Sequence, residues 1–357
     1  MIACEGLCMD LQDFHLKQLD LQVGAGEYCC IMGPSGAGKT VFLECIAGLH
    51  RPSAGRILVR GTDITALTPE QRRISLVYQD YSLFPHLTGY DNIAFGPRMH
   101  QVDPGKVRKD VNGMLQKFHI EHLRDRYPSS MSGGEQQRVA LARALVVQPE
   151  ILLLDEAFAA LDPVSRQQCM RDLRSLQQAQ HLTVIHVTHA WDEAHTLADR
   201  VAVVMDGRLV QHGPVQEVFA HPVSEAVAKF VGIENIVPAT IIAHSPGTST
   251  IDMGGIHICA VSDVPAGNSV TVCIRGAAWT VNTVPHGCPS AENLVTGILT
   301  ERTRLGDLER VDVDCGIPLV VVARSTDLQK QNIRAGDTIT LHVDPMDVHI
   351  IREERDS

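Results

Sequence analysis

The chain has 357 residues, enough for two domains at about 100–200 residues each. Its formal net charge is −11, from 31 Lys and Arg against 42 Asp and Glu, which argues against a face built to neutralise nucleic-acid phosphates or to hold anionic lipid by charge alone. The N-terminus reaches Glu5 and Asp10 with no basic start and no apolar run, so no secretory signal is expected. No stretch approaches the roughly 18 apolar residues of a membrane span, so a soluble chain is expected and any membrane role needs a partner. Ten cysteines are scattered without a C-x-x-C pair, and reduced, partly buried thiols are expected rather than a zinc site.

In chain order, the apolar spacing predicts a strand at 28–32, a helix at 40–49 and a strand at 56–60. Helices follow at 104–118 and 134–147, and apolar strands at 151–154 and 184–187. Runs of the last kind are typical of strands buried on both faces of a parallel sheet. Residues 1–232 therefore read as an α/β domain. After Gly232 the texture changes to short alternating runs, such as 270–274, 311–313 and 338–343, punctuated by Gly, Pro and Asp. Residues 233–357 read as a small all-β barrel, more acidic than basic.

Gly33, Pro34, Ser35, Gly36, Ala37, Gly38, Lys39 and Thr40 fit G-x-x-x-x-G-K-[ST] between a predicted strand and a predicted helix. The glycines let backbone N–H groups turn toward phosphate, and the helix start adds its positive end. Lys39 can reach the β- and γ-phosphates, and the Thr40 hydroxyl can ligate Mg²⁺. The run 151–156 delivers Asp155 and Glu156 at the end of an apolar strand. Asp155 can hold the Mg²⁺ shell, while Glu156 can orient the attacking water or accept its proton. Upstream, Ser132 reads as a helix N-cap followed by the bare amides of Gly133 and Gly134, a second anion site. One nucleotide does not easily occupy two separate phosphate sites of one domain. The expected solution is two chains facing each other, each lending residues 132–134 to the other's ATP.

At these residues the chain resembles the ABC ATPase family, whose signature is usually Leu-Ser-Gly-Gly-Gln; Met131 and Glu135 depart from it here. The resemblance implies a P-loop NTPase cassette with a helical subdomain at about 80–140, and ATP with Mg²⁺ as cofactors. It implies that Gln79 ligates Mg²⁺, that Asp162 contacts the opposing chain, and that His189 meets the γ-phosphate. Glu156, His189 and Lys39 are then the catalytic set. Ala157 and Ala190 stand where the family often has Pro and Asp. Adenine usually stacks on an aromatic upstream of the phosphate loop, and Phe14 is the candidate. The segment with Tyr81, Leu83, Phe84 and His86 falls where the family receives a coupling helix from its channel subunit.

The all-β tail resembles the OB-like regulatory barrel of many importer ATPases, and over most of its length the chain is similar to those of molybdate and tungstate importers. Ser290, Ala291, Glu292 and Asn293, followed by Gly297, are similar to the Ser-Ala-Arg-Asn-x-x-x-Gly motif of oxyanion-binding domains. On that resemblance Ser290, Asn293, Arg324 and Thr326 are candidate oxyanion ligands for feedback inhibition, although Glu292 replaces the motif's arginine. The implied partners are a second copy, a transmembrane permease and, indirectly, an extracytoplasmic solute-binding protein. The implied location is peripheral, at the cytoplasmic face of the membrane. Molybdate or tungstate is the expected solute, with sulfate next and iron or a polyamine as the alternative. A soluble ABC ATPase of DNA repair or translation is disfavoured by the acidic charge, the single cassette and the lack of a coiled-coil insertion.

Overall fold

The structure, a computed structural model, describes residues 1–11, 14–282, 293–330 and 333–352. The chain divides into two compact units, Met1–Val218 and Phe219–Ser357. The division lies upstream of residue 233, where the sequence changes texture. Helix residues of the intervening segment, including Val227 and Ala228, are buried, and the first strand of the second unit follows them closely.

The first unit runs β1 (Ile2–Leu11), β2 (Phe14–Val23), β3 (Tyr28–Met32), α1 (Lys39–Ala47), β4 (Ala54–Val59), β5 (Thr62–Asp63), α2 (Pro69–Arg72) and β6 (Ile74–Val77). It continues through α3 (Gly89–Met99), α4 (Pro104–Lys117), α5 (Gly133–Leu145), β7 (Ile151–Asp155), α6 (Pro163–Gln180), β8 (Thr183–Val187), α7 (Trp191–Leu197), β9 (Arg200–Met205) and β10 (Arg208–Pro214). The expected parallel core is present: the order is β10-β9-β3-β8-β7-β6, and only β10 runs antiparallel to its neighbour. Every residue of β3, β7 and β8 is buried, which is why these segments are continuous apolar runs. A second, antiparallel sheet, β2-β1-β4-β5, shares a core with it through Phe42 and Ile46 of α1, together with Leu7, Leu19, Ile57, Leu153 and Ile185.

Carbonyls at the end of α1 also accept from a buried arginine. Arg72 donates from Nη1 to Cys45 O at 2.7 Å and Ile46 O at 2.8 Å, and from Nη2 to Thr65 O at 2.9 Å. Between β6 and β7 the chain forms the helical region α3–α5. There Asn92, fully buried, donates from Nδ2 to the carbonyls of Phe84, Leu87 and Thr88 and accepts from Phe84 N. Arg143 of α5 donates to Ser82 O and Tyr81 O, so the segment leading from β6 into the helices is gripped from two sides.

Helix α8 (Val215–Ala220) crosses the division, and the second unit follows: α9 (Glu225–Phe230), β11 (Asn235–Ser245), β12 (Thr248–Asp252), β13 (His257–Ala260), β14 (Ser269–Ile274), β15 (Thr280–Asn282), β16 (Leu294–Leu305), β17 (Leu308–Asp314), β18 (Pro318–Arg324), α10 (Ser325–Lys330), β19 (Thr338–His342) and β20 (His349–Arg352). Two five-stranded antiparallel sheets result, β13-β12-β11-β14-β20 and β15-β19-β16-β17-β18. Trp279, Leu299, Val311, Val321 and Leu341 lie in their common core. Asn235 joins the two sheets: its Nδ2 donates to Ile274 O at 3.1 Å and Val320 O at 2.8 Å, and its Oδ1 accepts from Val320 N at 2.7 Å. Gly297 is needed for close approach, since a Cβ there would stand 2.4 Å from Cys315 Sγ and 2.7 Å from Asp314 O.

Replacing Asn235 by Ala leaves buried donors and acceptors of both sheets without partners, each costing about 1–3 kcal/mol. Asn235→Ala is expected to lose about 2–3 kcal/mol of stability in urea unfolding, seen as a lower midpoint with the slope kept. A loss below about 0.5 kcal/mol would show that the asparagine does not join the sheets.

Candidate nucleotide site

The site is assembled where three buried parallel strands end together. β3 leads into the loop 33–40, β7 ends at Asp155 and β8 ends just before Thr188 and His189. Gly33 has φ 154°, and a Cβ on it would sit 2.0 Å from Val204 O of neighbouring β9. Gly36 and Gly38 have φ of 80° and 90°, the left-handed region that lets successive amides turn inward. Lys39 is nearly buried, and its Nζ donates to Gly33 O and Pro34 O at 2.8 Å each, closing the loop on itself. Burial pushes the Lys39 ammonium below its ordinary range, while the Glu156 and Asp155 carboxylates oppose that shift.

Burial pushes the Asp155 carboxyl up, and a hydrogen bond from the Thr40 side chain acts in the opposite sense. Thr40 and Asp155, read in the sequence as Mg²⁺ ligands, are therefore in contact. Such a hydroxyl and carboxylate suit a hard cation that takes most of its ligands from phosphates and water. Gln79 lies exposed just beyond β6. Glu156 occupies the left-handed region at φ 47°, and its N–H donates to Val187 O at 2.9 Å. That conformation turns the side chain off the strand, and Glu156 Oε1 lies 3.2 Å from His189 Nδ1. The sequence named both residues; the structure brings them together.

Ser132 is the N-cap of α5 in a capping box: its Oγ accepts from Glu135 N at 3.3 Å, and Glu135 Oε2 accepts from Ser132 N at 2.8 Å. Glu135 also meets His122 Nε2 at 3.1 Å. The backbone N–H of Ser132, first, and His122 hold the Glu135 carboxyl below its usual range despite some burial. The departure from glutamine thus has a local role. Ser132 and Gly133 are exposed, and a Cβ on Gly134 would approach Leu161 Cδ2 to 2.9 Å. Asp162 is an exposed N-cap of α6, accepting from Val164 N and Ser165 N.

Phe14 is placed by its backbone at the start of β2, opposite Leu11. In the second unit Asn293 is buried, with φ 69°. Its Oδ1 accepts from Cys259 N at 2.5 Å and its Nδ2 donates to Cys259 O at 2.8 Å. Arg324 and Thr326 are exposed, and Ser290 lies outside the described residues. Among the described residues, no three His, Cys, Asp or Glu side chains converge as a metal cluster. Among the described residues, no helix is long and apolar enough to cross a membrane. A surface groove bordered by Met1, Glu5, Asp20 and Arg60 includes none of these groups.

Sequence reasoning missed Thr188 and Glu193. With Arg166 they line a small cleft that also contains Glu156 and His189. The only signal was a Thr before the His and a Glu in the first turn of the next helix.

A family model described as "ABC transporter" matches residues 16–159, and one described as "TOBE domain" matches 272–351. The chain is 47% identical over 316 residues to the molybdate/tungstate import ATP-binding protein of Pyrococcus abyssi, covering 88% of this chain and 90% of that one. It is 37% identical to the spermidine/putrescine import ATP-binding protein of Oleidesulfovibrio alaskensis, covering 82% and 78%. An ATP-binding cassette solved as a dimer in a post-hydrolysis state with ADP and Pi superposes with a TM-score of 0.56 at 29% identity, covering 60% of this chain and 99% of that one. The chain belongs to the ABC transporter family, among the ATP-binding subunits of import systems. It binds ATP and couples hydrolysis to transport, and subunits of this type work with membrane permease components.

The collision at Gly33 gives a direct check on the loop. Backbone strain of about 1–3 kcal/mol is expected for Gly33→Ala, or roughly five- to 150-fold in ATP affinity. Equilibrium binding of a fluorescent ATP analogue measures it, and wild-type affinity would contradict the geometry of the loop.

Proposed function

We propose that this chain is the ATPase of an oxyanion importer, with molybdate or tungstate as the solute, and that it acts as a homodimer bound to a transmembrane permease at the cytoplasmic face. The observation that carries the chemistry is the Glu156–His189 pair at 3.2 Å beside Asp155 and Lys39. The choice of solute is supported by the higher identity to the molybdate/tungstate protein than to the polyamine one, 47% against 37%.

In this reading the loop amides and Lys39 hold the β- and γ-phosphates of one ATP. Thr40, Asp155 and Gln79 hold Mg²⁺, which supplies positive charge to the phosphate oxygens. Ser132 and the amides of Gly133 and Gly134 approach the same nucleotide from the second copy, and Asp162 lies at the seam between copies. Glu156 accepts the proton of the attacking water, and His189 fixes the Glu156 carboxylate and reaches toward the γ-phosphate. A solute-binding protein outside the membrane delivers the oxyanion to the permease. The proposal places no oxyanion on Asn293, whose side chain latches β13.

The test is made in the cell of origin. A chromosomal Glu156→Gln change should lower accumulation of molybdate and tungstate by about 10²-fold, the scale of a lost general base, with uptake of iron and polyamines unchanged. Normal oxyanion accumulation, or loss of iron or polyamine uptake in its place, would overturn the assignment.

A further inference from the structure

The His189 ring is mostly exposed, with 67% of its side-chain surface accessible, so little packing holds it. Its position against Glu156 depends on the backbone turn formed by Thr188, His189 and Ala190, between β8 and α7. One side of this turn is tied to the sheet: Thr188 N donates to Ile31 O of β3 at 3.1 Å. The other side should be fixed by the N-cap of α7. That residue is Ala190, which makes no side-chain cap bond, and alanine is among the poorest N-caps.

Two buried side chains close the turn. Thr188 Oγ1 accepts from Ala190 N at 3.0 Å and donates to Glu193 Oε2 at 2.5 Å. Thr188 is 2% exposed and Glu193 3%. A carboxyl is costly to bury at such a place unless it is hydrogen-bonded. Burial pushes Glu193 up toward its neutral form, and the bond from Thr188 opposes that. The neighbouring His186 is itself fully buried and held neutral by desolvation, pushed down to about 3, with Nε2 3.6 Å from Glu193 Oε2. Glu193 therefore has one short hydrogen bond, to Thr188, while the Arg166 guanidinium that lines the same cleft acts on it through charge.

We propose that Glu193 is a positioning residue for hydrolysis: through the Thr188 hydroxyl it fixes the turn that Ala190 leaves uncapped, and so sets the His189 imidazole against Glu156. The proposal rests on the reading of Glu156 and His189 as hydrolytic groups. The hydrogen bond of Glu193 goes to Thr188, and Glu156 pairs with His189.

The experiment is steady-state ATP hydrolysis by the full chain in a set of variants. Thr188→Val, which keeps the shape, and Glu193→Ala should each lower kcat about ten- to a hundredfold with KM for ATP unchanged, the scale of a misplacement near 1 Å. Glu193→Gln, which still accepts from Thr188, should stay within about threefold of the wild type. Adding Ala190→Asp to Glu193→Ala supplies a true N-cap and should restore most of kcat. The proposal is overturned if Thr188→Val and Glu193→Ala both keep kcat within about twofold of the wild type. It is equally overturned if kcat and ATP affinity fall together and Ala190→Asp restores neither, the mark of a general folding role. Glu156→Gln and His189→Ala are run beside them. Wild-type turnover by both would remove the hydrolytic reading itself, whereas their inactivity beside an active Glu193→Ala removes only the proposal.

Discussion

Bared backbone amides suit a phosphate, and the sharp turn from buried β3 into α1 bares them. The first unit is organised around that turn. β3 lies at the centre of the parallel sheet, between β8 and β9, so the loop it feeds emerges beside the ends of both neighbours. The closeness of β9 is what excludes a side chain at Gly33. On its far side β8 pairs with β7, and that pairing puts His189 within reach of Glu156. A site made this way needs little from its surface loops, because the strands that position it are buried throughout.

Charge follows from the same placement. Lys39, Asp155 and Glu156 lie near one another at low exposure, so burial disfavours the charged form of Lys39 and of Asp155 while each tempers the other. Such a cluster of mixed sign is poised to take up a phosphate anion with its metal ion, which would rebalance it. At the opposite motif the logic differs. Ser132 and Gly133 are exposed at the start of α5, and their one internal constraint is the capping box with Glu135. This surface has bare amides and no basic residue of its own in the helix's first turn. It suits the role of a second wall for a nucleotide already held elsewhere.

Much of this was legible in the sequence, for physical reasons that vary by element. The strands 28–32, 151–155 and 183–187 are buried on both faces and so appear as unbroken apolar runs. The loop 33–40 was legible because its glycines answer to backbone geometry that no other residue adopts readily. The hairpin of β1 and β2 was not: register shifts between Cys4 and Leu7 and between Leu7 and Met9 break the period of two that marks a strand. Arg72 was also missed, because a buried arginine capping carbonyls looks like any surface arginine in sequence. Asn293 and Gly297 drew attention as part of an anion motif, and the contacts seen for them are a latch on β13 and a close approach to β17. The missing Asp at Ala190 was visible, but its compensation by Thr188 and Glu193 requires the turn to be folded.

The central claim is that one ATP is enclosed by the phosphate loop of one copy and by Ser132, Gly133 and Gly134 of another. Mixing two inactive chains tests it most directly. Ser132→Arg spoils the second wall and leaves the loop intact; Lys39→Ala does the reverse. A heterodimer of the two holds one complete site and one doubly damaged site. Each chain alone should be inactive, and ATP hydrolysis should appear on mixing in proportion to the heterodimer counted by native mass spectrometry. Heterodimers that form and never hydrolyse ATP would contradict the shared site, as would a Ser132→Arg chain that hydrolyses ATP unaided.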